Sequence, residues 1–208
     1  MELTWYGLSC FRITERKHAV IVTDPFDRST GLPELKLKAD IVTVSHEASG
    51  HNHAAAISGK QHVVDGPGEY EIGGVFITGI ATFHKNNNLR NVIYVFGFNG
   101  LTVAHLGDMQ EVPTQKQIEA LEQVNILLVP VGAGKSLNAP QAAELVSMLE
   151  PNIVVPMHYQ LPELKIELED VERFLKEMGV TDVKQETSLK VASSNLPEET
   201  EIVILLPK

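Results

Sequence analysis

The chain opens with short runs in which apolar and polar positions alternate. Leu3-Thr4-Trp5-Tyr6, Cys10-Phe11-Arg12-Ile13 and Ala19-Val20-Ile21-Val22 are rich in β-branched and aromatic residues, and Gly7 and the polar Glu15-Arg16-Lys17-His18 punctuate them. This pattern predicts a meander of antiparallel strands. Asp24-Pro25 ends the third run, because proline cannot donate to a ladder and pushes its predecessor toward extended geometry. Residues 29–38 read as a connector with one turn of helix. Ile41-Val42-Thr43-Val44 is a short buried strand, residues 52–58 a short helix closed by Gly59, and Gln61-His62-Val63-Val64 another strand. Turn clusters at Asp65-Gly66-Pro67-Gly68 and Gly73-Gly74 precede a longer strand, Val75 to Phe83. Asn99-Gly100 between Val92–Phe98 and Leu101–His105 is a strong two-residue hairpin signal.

Beyond His105 the period changes, and helices alternate with strands. Thr114 and Gln117 form a capping-box pattern for a helix through Leu121. Ile126 to Val129 is a wholly apolar strand. Residues 139–149 predict a helix with Leu145, Val146, Met148 and Leu149 on its apolar face. Ile153-Val154-Val155 is a strand that runs into Pro156-Met157-His158. Residues 167–178 predict an amphipathic helix with a Glu172–Lys176 pair and Gly179 as its cap. Lys190–Ala192 and Ile202–Leu206 close the chain as strands. A strand-rich half followed by an alternating half predicts an α/β fold: two packed mixed sheets flanked by helices.

Composition narrows this little. The 208 residues suit one domain, 1–208, with 43% hydrophobic and 21% charged residues. A formal charge of −10 argues against sequence-independent nucleic-acid binding, which needs a basic surface. A single cysteine, Cys10, excludes an intrachain disulfide and a cysteine-rich zinc site. No apolar run approaches the roughly 20 residues of a membrane span, and no basic n-region with an apolar h-region opens the chain. A soluble cytoplasmic protein is expected.

The candidate chemistry lies at the ends of the apolar runs. His46 and His51 follow the strand at Ile41, His84 follows Phe83, Asp108 follows the strand ending at His105, and His158 follows the strand at Ile153. If those strands are neighbours, their ends share one edge, where α/β sheets place ligands. Imidazoles with one carboxylate are the ligand set that Zn²⁺ or a similar divalent ion takes. His18 and His62 lack such company and read as surface residues. His53 opens the predicted short helix and is the weaker of the nearby candidates, and Glu47 is the nearest spare carboxylate. Gly132-Ala133-Gly134-Lys135-Ser136 lacks the leading glycine of a phosphate loop, because Val129 stands there, so it reads as a strand-to-helix connection with Lys135 near the cleft. Gly-x-Ser-x-Gly does not occur, and Cys10 reads as a buried strand residue.

Several segments, in order, resemble the metallo-β-lactamase superfamily, in particular the small bacterial and archaeal hydrolase-like branch that includes the ascorbate-phosphate lactonase-like proteins. They are Trp5 to Phe11, Asp24-Pro25-Phe26, Val42 to His46, Gly66 to Glu71, His105-Leu106-Gly107-Asp108 and Val155 to Tyr159. The resemblance implies an αββα sandwich. It also implies that His46 and His84 serve one metal, His51 and His158 a second, and Asp108 bridges them, with Asp108 and His51 closest to the chemistry. The family loop reads His-x-His-x-Asp-His, whereas this chain has Ala48 and Gly50 at the second histidine and the aspartate, and Leu8 where many members have histidine. The expectation is one or two Zn²⁺ or Mn²⁺ ions in an incomplete centre. A metal-activated water would attack an ester, lactone or phosphodiester in a polar or anionic small molecule. The alternative is an inactive member that binds a small molecule or a protein.

Overall fold

The computed structural model describes residues 1–83 and 89–208. In chain order the strands are β1 (Glu2–Gly7), β2 (Cys10–Thr14), β3 (Ile21–Thr23), β4 (Ile41–Thr43), β5 (His62–Val64), β6 (Gly68–Ile72), β7 (Val75–Phe83), β8 (Arg90–Phe98), β9 (Leu101–His105), β10 (Ile126–Pro130), β11 (Ile153–Met157), β12 (Lys184–Glu186), β13 (Leu189–Lys190) and β14 (Glu201–Leu205). Helix α1 (Gln115–Leu121) lies between β9 and β10, α2 (Ala139–Leu149) between β10 and β11, and α3 (Val171–Glu177) between β11 and β12.

Two sheets result. One has six strands in the order β13-β1-β2-β3-β4-β5, and the other eight in the order β12-β14-β11-β10-β9-β8-β7-β6. Both are mixed. In the first, β1, β2 and β3 form the antiparallel meander, whereas β3, β4 and β5 run parallel, with Ile21 beside Ile41 and Ile41 beside His62. The first half is therefore less antiparallel than its alternation predicts. The long segments between β3, β4 and β5 allow parallel crossovers that a hairpin turn cannot make. In the second sheet β9, β10, β11 and β14 run parallel, and hairpins join β6, β7, β8 and β9. Gly100 takes φ +80 at the Asn-Gly turn, as that hairpin requires.

One continuous apolar cluster joins the sheets, with Trp5, Phe11, Tyr94 and Phe96 among its largest buried side chains. Tyr94 pins the layers together: its hydroxyl, carried on β8, reaches the Val44 and Val64 carbonyls at 3.0 Å each. Helix α2 packs on β10 and against α3. The Asn138 side chain caps α2 by accepting from the Gln141 amide. Its buried residues are Ala139, Ala142, Leu145 and Val146, whereas Met148 is 41% exposed, so the buried face lies one step round from the predicted one.

Other elements depart from expectation. Residues 52–58 form only a 3₁₀ turn, Ala54–Ala56. Helix α3 starts later than its periodicity suggests, because the Glu169 amide donates to the Gly132 carbonyl and the Leu168 amide to Gln160 Oε1. That recruitment leaves Arg173–Glu169 as the i,i+4 ion pair there, in place of Glu172–Lys176. Gly179 follows the helix at φ +69, as a closing glycine should. Among the described residues no helix is long and apolar enough to cross a membrane.

Candidate metal centre

Four strand ends meet on one edge of the sandwich. Asp24 follows β3, His46 and His51 follow β4, Asp108 follows β9 and His158 follows β11. The backbone takes unusual shapes to bring them there. Leu8, Asp24 and His158 all lie in the left-handed region, at φ 47, 39 and 53, a conformation that costs free energy in a non-glycine residue and gathers at functional sites. The His158 amide donates to the Leu8 carbonyl at 3.1 Å, which joins two of these residues directly. Glycine makes the remaining approaches possible. A Cβ on Gly107 would sit 2.4 Å from Asn91 Oδ1 and 2.5 Å from the Ser45 Cβ, and one on Gly132 would sit 2.2 Å from the His158 carbonyl oxygen.

Each imidazole is oriented by what its Nδ1 touches. His51 Nδ1 lies 2.9 Å from Asp24 Oδ2, so it donates to that carboxylate and leaves Nε2 as a lone pair. Asp24 is fully buried and also accepts from the Ser45 amide at 2.7 Å and from the Ser45 hydroxyl. With that hydroxyl proton committed, Ser45 Oγ can only accept from His46 Nδ1, 3.2 Å away, which leaves His46 Nε2 free as well. His158 Nδ1 faces Ser136 Oγ at 3.5 Å, and that hydroxyl donates to the Ala133 carbonyl. All three rings therefore turn Nε2 inward. This is the arrangement in which outer hydrogen bonds fix the tautomer of metal-ligating histidines.

The carboxylate of Asp108 lies among these nitrogens. Its Oδ2 is 3.6 Å from His46 Nε2 and its Oδ1 is 3.8 Å from His158 Nε2. The ligand atoms of His46, His51 and Asp108 all lie within 4.8 Å of one another. The His46 and His51 rings are 4.2 Å apart, and His51 stacks on His158 at 5.3 Å. The Asn91 side chain holds the Asp108 backbone by accepting from its amide at 3.0 Å.

Two observations test whether a metal fits. Among the described residues Asp108 Oδ1 is buried without a hydrogen-bond partner, a costly state for a carboxylate oxygen that a bound cation would relieve. The 3.6 Å contact is also too long for a hydrogen bond. A tetrahedral ion with bonds of about 2.0–2.1 Å sets its ligands about 3.3 Å apart, close to that separation. The residues fit a divalent ion.

Electrostatics agree with this. Burial, aided by the neighbouring His51, pushes the His46 imidazole down to about 4, and burial also lowers His158. Both rings are thus neutral at pH 7, the form in which an imidazole can ligate a metal. For His51 burial pulls downward, but the hydrogen bond and charge of Asp24 outweigh it and raise the group. The Asp24 carboxyl, which burial alone would raise, is held below its usual value by His51 first, with His105 and Ser45 adding to the effect.

The structure thus brings together His46, His51, Asp108 and His158 of the predicted set, while His84 lies outside the described residues. His53 precedes the 3₁₀ turn and stays exposed, and His18 and His62 lie away from the centre. Glu47 is exposed and accepts from Asn52 Nδ2 at 2.9 Å, although it lines the cleft. At Gly50 an added Cβ would meet only Leu8 Cδ1, at 3.4 Å, an ordinary contact. His105, two residues before Gly107, serves the scaffold: Nε2 donates to the Ser9 carbonyl at 2.8 Å and Nδ1 accepts from the Gly107 amide. Sequence reasoning gave Asp24 only the part of a turn residue and gave Asn91 and Ser136 no part. Asp-Pro is a common turn dipeptide, and the polar Asn91 just inside an apolar strand is the one local hint of its role.

A cavity of about 840 Å³ opens above this cluster. Comparison with known proteins places the arrangement in context. A candidate Zn-dependent hydrolase of the metallo-β-lactamase superfamily from Thermotoga maritima is 34% identical, with a TM-score of 0.83 over 98% of this chain and 97% of that one. A UPF0173 metal-dependent hydrolase of Thermoplasma acidophilum is 28% identical over 79% of this chain and 85% of its own length. A metallo hydrolase of Ignicoccus hospitalis, 20% identical with a TM-score of 0.68, shares the fold. The family model for the β-lactamase superfamily domain matches residues 2–158, ending on the last of the inward-facing histidines. With three quarters of its length under that model and its two mixed sheets arranged as in the Thermotoga structure, the chain belongs to the metallo-β-lactamase superfamily.

Proposed function

We propose that the protein is a metal-dependent hydrolase whose centre holds one divalent ion, Zn²⁺ or Mn²⁺, through His46, His51 and Asp108, with His158 on the far side of the carboxylate. The observation that carries this reading is the buried Asp108 carboxylate, set among inward-turned imidazoles with Oδ1 unpartnered among the described residues. Three protein ligands suffice for a catalytic ion with an open position. Ala48 and Gly50 withhold the two further ligands of the family loop, which favours one ion over two. The names of the Thermotoga and Thermoplasma relatives support metal-dependent hydrolysis. The single buried cysteine suits the reducing cytoplasm, where we place the protein.

When bound, such an ion supplies Lewis acidity and a water activated near neutral pH. The chain's own residues do the rest. Asp24 keeps His51 in one tautomer, and Ser45 and Ser136 do the same for His46 and His158. Gly107 and Gly132 let Asp108 and His158 approach. The cavity above admits a small molecule with an ester, lactone or phosphodiester, and Lys135 on its rim can meet a negative charge.

Metal content of untagged protein, measured by elemental analysis after incubation with Zn²⁺ or Mn²⁺ and desalting, tests the reading. About one ion per chain is expected. Retention of almost none would leave only a ligand-binding role. The double substitution Ala48→His with Gly50→Asp should raise the content toward two, because it restores both missing ligands of the family loop and a Cβ at Gly50 makes only an ordinary contact. Hydrolysis of generic esters, lactones and phosphodiesters by the parent protein completes the test. Activity confined to the restored variant would favour the inactive binding module.

A further inference from the structure

Among the described residues seven large apolar side chains are exposed, and three of them, Phe83 at 54%, Leu89 at 53% and Ile166 at 41%, line the cavity over the metal cluster. The other four, Val63, Phe76, Met148 and Leu206, do not line it. Isolated exposed apolar residues need no explanation, whereas a concentration of them within one concavity marks a binding surface. The wall continues inward. Leu8, fully buried, faces Gly50 where the family loop carries an aspartate, and Val112 and Leu168 are half-buried on the cavity lining. Leu8, Phe83, Val112, Ile166 and Leu168 come from four separate parts of the chain: the β1–β2 turn, the end of β7, the loop after β9 and the loop before α3. The last of these is held out of helix by the Leu168 and Glu169 amide bonds described above, and so reaches the cavity.

We propose that the molecule taken by this centre carries an extended apolar group, an acyl chain joined to the scissile ester or lactone, laid along the wall of Leu8, Phe83, Val112, Ile166 and Leu168. The reactive end of this assignment rests on the metal-hydrolase reading; the apolar end does not. A concave site of about 840 Å³ is of small-molecule size, and its metal-ligand cluster lies at the floor, so the occupant is a small amphiphile and not the flat face of a second protein. The sequence leads to the expectation of a polar or anionic substrate; the occupant proposed here has an apolar body.

The test separates the two ends. Binding of butanoate, hexanoate, octanoate and decanoate to the protein as purified, measured by calorimetry, should tighten about two- to fourfold per methylene, as expected for burial of each CH₂ against an apolar wall. Phe83→Ser and Ile166→Ser sit at exposed positions that folding tolerates, and each should flatten that dependence with the thermal midpoint kept. Affinity indifferent to chain length, or a dependence that survives both substitutions, would overturn the proposal. Parallel assays with the matching p-nitrophenyl esters show which reading failed. Length-dependent binding without turnover upholds the wall and removes the hydrolase. Turnover with no length dependence in rate or binding does the reverse.

Discussion

At the scale of single residues, Asp24 has the widest influence. It is fully buried, lies in a left-handed conformation, and accepts from the Ser45 amide, the Ser45 hydroxyl and His51 Nδ1. Asp24→Asn keeps the shape but removes the charge, so His51 loses the partner that fixes its tautomer. Competition with a chromophoric chelator should show metal affinity falling roughly 10–100-fold while the circular dichroism spectrum is retained. The histidines also set an acid limit on the metal-free protein. His46 is lowered from 6.5 to about 4 and His158 is lowered too, so over that interval the unfolded chain binds protons that the folded chain refuses. Stability therefore rises with pH from about 4 to about 6.5 and is lost as pH falls through the same window. His51, raised by Asp24, contributes stability that is lost only above 6.5, and the lowered Asp24 contributes stability that is lost only below 3.8, so neither cancels the trend. After chelator treatment the urea midpoint should be clearly lower near pH 4.5 than near pH 6.5.

At the scale of elements, the site depends on how the two sheets are held against each other. Half of it hangs on β3 and β4 of one sheet and half on β9 and β11 of the other, so any slippage between layers separates His46 and His51 from Asp108 and His158. The Tyr94 hydroxyl spans that gap close behind the metal loop. Tyr94→Phe leaves the Val44 carbonyl without this donor, and an unmet buried acceptor costs about 1–3 kcal/mol. Chemical denaturation should report a loss of that size, with metal release preceding global unfolding. Elements whose signals are local were legible in the sequence: the Asn99-Gly100 hairpin, the Thr114–Gln117 capping box and the bounds of α2 all stand where the pattern put them. Strands β6 and β12 were not. Glu69-Tyr70-Glu71 and Lys184-Gln185-Glu186 carry too little apolar alternation, and both strands exist because an edge of a formed sheet pairs with them.

For the whole molecule, the convergence of His46, Asp108 and His158 was legible as a list of strand ends, because apolar runs stopping near these residues are a one-dimensional signal of a shared edge. What holds the cluster was not. Asp24 and His51 are 27 positions apart, and Asn91 and Asp108 are 17 apart, so nothing in a local window couples them. The parallel run of β3, β4 and β5 was hidden for the same reason, since pairing across long loops leaves no local trace.

The Leu8 carbonyl, already seen receiving the His158 amide, accepts a second donor: the indole N–H of Trp5, at 2.9 Å. Trp5 is the only tryptophan of the chain, and its ring lies 5.0 Å from that of Tyr159, the residue after His158. The protein therefore carries an intrinsic optical probe that shares one backbone carbonyl with His158, beside the candidate metal cluster. A cation held by Asp108, whose Oδ1 lies 3.8 Å from His158 Nε2, should change the intensity or wavelength of tryptophan emission through His158, with no label and no chromogenic substrate. A titration with Zn²⁺ followed at that wavelength should saturate at the stoichiometry found by elemental analysis, and His158→Ala should abolish the optical change.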